Sequence, residues 1–133
     1  MLVKVQIDKQ KARSLKEIAK VTLERLRETD REKYPINSLK DYYDILRALM
    51  EALNSIEGIK FKGDGAHFEI INYICEKFIF RESTRQFLQD LRDYRNRISY
   101  EGFVIKSNYI KSNSKRIEEI IDKLDKLIEE QLN

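Results

Sequence analysis

The chain has one cysteine, one histidine, one proline and four glycines among 133 residues, and each scarcity removes a class of protein. A lone Cys75, set between Ile74 and Glu76, cannot close an internal disulfide and lacks zinc-site spacing to other ligands. A reducing, cytoplasmic setting is expected. With His67 as the single imidazole, no closed ligand set can be written, so neither a metal nor a cofactor is expected. Gly63-Asp64-Gly65 lacks the further glycines and the Lys-Ser/Thr pair of a phosphate-cradling loop. No run of about 18 apolar residues occurs, and Met1 to Ile7 is too short and too interrupted by polar residues for a signal segment. No membrane association is expected.

Charge is what the chain has in abundance. Asp, Glu, Lys and Arg make up 37% of it, and 41% apolar residues still suffice for a core. The two signs nearly cancel, 26 basic against 23 acidic for a net +3, so the whole molecule exerts little pull on nucleic acid or a lipid surface. An anion site would have to come from local clustering. The richness in Lys, Glu and Ile resembles the composition of heat-adapted proteins.

Apolar spacing of three and four predicts an all-α protein, an antiparallel bundle of about five helices in a single domain spanning 1–133. The first helix runs from about Lys9 to Thr29 on Leu15, Ile18, Leu23 and Leu26. Pro35 interrupts, and Asn37 or Ser38, the latter in a capping box with Asp41, is expected to start a second helix over 38–57 that ends at Gly58. A third helix over 65–79 carries the stripe Phe68, Ile71, Ile74, Cys75, Phe78 and Ile79. The fourth, 83–100, opens on a Ser83/Gln86 capping box and stops at Gly102. Ser107 caps the fifth and longest, which reaches the C-terminus.

The fourth helix carries the chemistry. At about 100° per residue, Phe87, Leu91, Tyr94 and Ile98 face the core, while Arg81, Arg85, Gln89, Arg92, Asn96, Ser99 and Tyr100 gather on another side. That side holds three arginines and no acid, and guanidinium forks fit phosphate oxygens. A solvated face paired with carboxylates of neighbouring helices is the plainer reading of the same pattern. Arg95 falls between Leu88 and Leu91 on the edge of the buried sector, where a charge needs either a partner or a cleft.

The segment Leu91-Arg92-Asp93-Tyr94-Arg95-Asn96-Arg97-Ile98-Ser99-Tyr100-Glu101-Gly102 resembles the signature helix of the HEPN superfamily, an Arg, four residues, then His, often with Asn after the Arg. Arg95, Asn96 and Ile98 match those positions. The resemblance implies a homodimer in which two copies of the motif line one cleft that cuts RNA without metal, within toxin-antitoxin or defence modules. It assigns catalytic roles to Arg95, Asn96 and Tyr100, with Arg85, Arg92 and Ser99 as RNA or phosphate contacts. Tyr100 stands where the family has its His, and a tyrosine exchanges protons at neutral pH far less readily than imidazole. A degenerate metal-independent endoribonuclease is therefore weighed against two non-catalytic readings. One is a nucleotide- or partner-binding module working with a small nucleotidyltransferase, and the other is a helical interaction scaffold. The family's regulated tyrosine, two residues beyond the His, corresponds to Gly102 here. His67, at the start of the third helix, is read as a surface residue rather than a substitute base.

Overall fold

In the computed structural model, which describes residues 1–133, the order is β1 (Leu2–Lys4), α1 (Lys9–Arg27), α2 (Pro35–Glu57), β2 (Ile59–Phe61), α3 (Ala66–Lys77), α4 (Glu82–Glu101) and α5 (Ser107–Leu132). The five helices form the expected all-α bundle. No helix is long and apolar enough to cross a membrane.

α2 is the axis of the core because its apolar residues leave little of its surface without a partner, and thirteen of its 23 residues are buried. The start of α1 lies beside the end of α2 through Asp8 N–H to the Ser55 carbonyl, and its far end beside the start of α2 through Arg25–Asp41. These two helices are antiparallel. Lys16 meets Asp125 and Glu129, while Arg27 meets Glu118, so α1 is antiparallel to α5 as well. α3 and α4 run antiparallel against the other flank of α2, joined by Arg85–Asn72 and Gln89–Phe68 bonds.

Three expected starts move. α2 begins at Pro35, whose fixed φ suits the first turn, so Asn37 and Ser38 lie inside the helix and the box with Asp41 does not form. Ser38 is buried and donates its hydroxyl to the Arg31 carbonyl. The Ser83/Gln86 box is likewise absent: Arg81 is the flanking residue, and the Gln86 amide donates to Asp90. Ser107 is the first residue of α5, and Lys106 stands in the capping position.

Two stripes also shift. The core side of α1 is set by Ala12, Ala19 and Leu26, and Ile18 is exposed. α3 ends at Lys77, leaving Ile79 in solvent, and Phe68 lies at the surface instead of in the core. The pairing of β1 with β2, Val3 opposite Lys60, had no sequence signal, since three-residue strands are too short to show alternation.

Gly58 ends α2 as expected, in the left-handed region at φ 77°. It has a second duty. A Cβ there would meet the Val5 carbonyl oxygen at 2.8 Å, so glycine lets the N-terminal segment cross the end of α2, where the Val5 N–H bonds the Gly58 carbonyl.

Candidate functional site

Three arginines meet where α2, α3 and α4 converge. Arg92 and Arg95 come from α4 and Arg47 from α2, and all three are half-buried. Each is close enough to act electrostatically on both Tyr43 of α2 and His67 of α3. Spacing on the two helices explains the meeting: Arg92 and Arg95 are three apart on α4, and Tyr43 and Arg47 four apart on α2, so each pair shares a face.

The guanidinium groups are incompletely satisfied. Arg92 donates through Nε to Gln89, 2.8 Å, and lies 5.5 Å from the Phe68 ring centre, leaving both Nη groups free. Arg95 donates through Nη1 to the Ser99 hydroxyl, and its Nε stands 3.7 Å from Asp44 Oδ1, beyond hydrogen-bond reach. Arg47 Nε stands 3.8 Å from Glu51 Oε1 and has no hydrogen-bond partner, although it is buried. Asp44 Oδ1 and the Tyr43 hydroxyl are buried without partners too. Three positive charges thus face two carboxylates that only partly neutralise them, and the guanidinium N–H groups left over suit an oxyanion that accepts several N–H bonds at once, whereas Asp44 Oδ1, itself an acceptor, does not.

Titration follows from this setting. Burial pushes the Tyr43 hydroxyl up to about 12 despite the opposing pull of Arg47, Arg92 and Arg95, so it stays protonated. Partial burial, then Arg47, with smaller pushes from Arg92 and Arg95, lowers His67 below its ordinary value against Glu51. At pH 7 this imidazole is neutral and able to accept a proton.

The residues singled out on α4 divide between places. Arg92, Arg95 and Ser99 belong to the junction. Arg85 is held by Glu82 and by Asn72, and it reaches Arg92 only indirectly, because Asn72 also accepts from Gln89, which in turn accepts from Arg92. Asn96 is half-buried next to Arg95. Tyr100 is 86% exposed in the last turn, rotated about 140° from Arg95 by the helical step, so within one chain it does not join the arginines.

Sequence reasoning missed Arg47 and Tyr43; His67 is an exposed residue at the start of α3, as expected, and what the sequence did not show is that the three arginines act on it. A signal was present. Asp44, Arg47, Glu51, Asn54 and Ser55 fall within about 100° on the wheel, a polar stripe on an otherwise apolar helix. Comparisons with family models, with curated proteins and with solved structures each found no match for the chain.

Proposed function

We propose that this protein is a HEPN-like RNA-binding protein whose phosphodiester site is the Arg47–Arg92–Arg95 junction. The single observation that carries the reading is the set of unspent N–H donors on three guanidinium groups that converge from two helices. The resemblance of Arg95-Asn96 to the HEPN motif adds the substrate class, RNA. His67 is the one imidazole beside these arginines, neutral above its lowered pKa, and the reading gives it the proton-accepting role in place of Tyr100. In that role it takes the ribose 2′-hydroxyl proton as that oxygen bonds phosphorus, the guanidinium groups bear the charge growing on the phosphoryl oxygens, and the P–O5′ bond breaks, the leaving 5′-oxygen taking a proton from water. Pairing of two chains through the α4 ends is part of the proposal, and it gives the exposed Tyr100 and Val104 a partner surface.

Binding of a fluorescent single-stranded RNA tests it. Arg92→Ala and Arg95→Ala are each expected to weaken binding by about tenfold, since a lost charge-assisted bond is worth roughly 1.5 kcal/mol. Melting temperatures of the variants verify that they are folded. Chelator-resistant cleavage that disappears in His67→Ala assigns turnover to the same site. Affinity unaffected by both arginine replacements contradicts the proposal.

A further inference from the structure

Beside the arginine junction lies a cleft of about 560 Å³ between the N-terminal segment, α2, β2 and α3. Its volume is ordinary for a small-ligand pocket. Val5, Phe61 and Ile70 give it apolar walls, and Glu51, Asn54 and His67 give it polar ones. Two of these residues tie it to the junction: Glu51 also faces Arg47, and His67 feels all three arginines. The cleft and the junction are therefore neighbours on one surface.

Asn54 is the telling residue. It is 3% exposed, it lines the cleft, and its Oδ1 has no hydrogen-bond partner. A buried amide oxygen without a donor costs stability, and leucine would fill the same space without that cost. Glu51 adds a second acceptor on the same wall. A ligand suited to this cleft is flat and partly apolar, carries N–H donors on its edge, and has an anion attached on the side toward the arginines.

We infer that the cleft binds an amino-bearing nucleobase whose phosphate sits on the Arg47–Arg92–Arg95 junction. Adenine, guanine and cytosine each present an exocyclic amino group that Asn54 Oδ1 and Glu51 can accept, whereas uracil has none. A cleft of this kind takes a base only when it is unstacked, from a single strand or a free nucleotide. The inference rests on the phosphate site proposed above and adds to it the chemistry that chooses the base.

Calorimetric titration of the full chain with AMP, CMP, UMP and ribose 5-phosphate tests it. AMP and CMP are expected to bind about tenfold or more tightly than ribose 5-phosphate, with UMP between, as buried hydrogen-bonding groups discriminate strongly. Asn54→Leu should remove the advantage of AMP and CMP, leave ribose 5-phosphate unchanged, and melt no lower than the parent chain. Ala66→Phe, which crowds the cleft from its α3 rim, should do the same to the nucleotides. Equal affinity for ribose 5-phosphate and the nucleotides overturns the base pocket while the phosphate site stands. Failure of all four to bind overturns the phosphate site and the pocket together. An oligocytidylate strand, compared with CMP, names the source of the base by whichever binds tighter, and either result supports the pocket.

Discussion

Ile79 holds φ at 56°, a left-handed conformation that L-residues enter at a cost of about 1–2 kcal/mol. It sits where glycine ordinarily follows a helix: the Phe80 N–H returns to the Cys75 carbonyl, closing the end of α3. The side chain is 86% exposed and gains nothing from packing. Ile79→Gly is therefore expected to raise stability by about 1 kcal/mol, read as a higher urea midpoint at unchanged slope. A lower midpoint would mean that Ile79 contributes something other than strain. This residue also shows what local pattern conceals. Gly58 and Gly102 announce helix ends by their chemistry, whereas an isoleucine at the same kind of position reads as one more apolar residue of the stripe. Arg95, by contrast, was legible, because its place between Leu88 and Leu91 already put a charge at the edge of the core.

At the scale of elements, Glu118 of α5 fastens three segments. Its carboxylate accepts from Arg27 Nη2 at 2.8 Å, from Tyr42 at 2.7 Å, and from Arg31. Burial pulls its acidity toward the neutral form, but the bonds from Tyr42 and Arg27 and the charges of Arg27 and Arg31 prevail and lower its pKa below the ordinary 4.5. Because the folded value is the lower one, the stabilisation is full above pH 4.5 and is lost as pH falls through the folded value. Glu118→Gln is expected to cost about 2 kcal/mol at neutral pH, and the gap from the parent chain should narrow in urea melts as pH falls below 4.5 and through the folded value. A gap that stays constant with pH would remove the carboxylate from the account. None of this tie was legible, since Tyr42, Arg31 and Arg27 lie 76, 87 and 91 residues from Glu118 in the chain. Helix identities were legible from spacing, but the start of α2 and the caps of α2 and α4 were not. Ser38 prefers a carbonyl inside the fold to a cap, and Pro35 already supplies the first turn.

For the whole molecule, near-neutral charge and local concentration coexist. The net +3 is spread over 133 residues, while Arg47, Arg92 and Arg95 gather at one junction. Two of the three lay on the helix that the sequence singled out, and the third lay on α2, whose long apolar run drew attention to the core and away from its polar stripe. Light scattering should give twice the chain mass if two α4 ends pair as proposed, and a monomer would contradict that pairing. The most direct measurement of the central claim is the salt dependence of single-stranded RNA affinity. A single phosphate neutralised at the junction predicts a slope of about −0.7 in log K against log salt, shallower in Arg92→Ala. A slope near zero, or one that the loss of Arg92 leaves unchanged, would contradict the account.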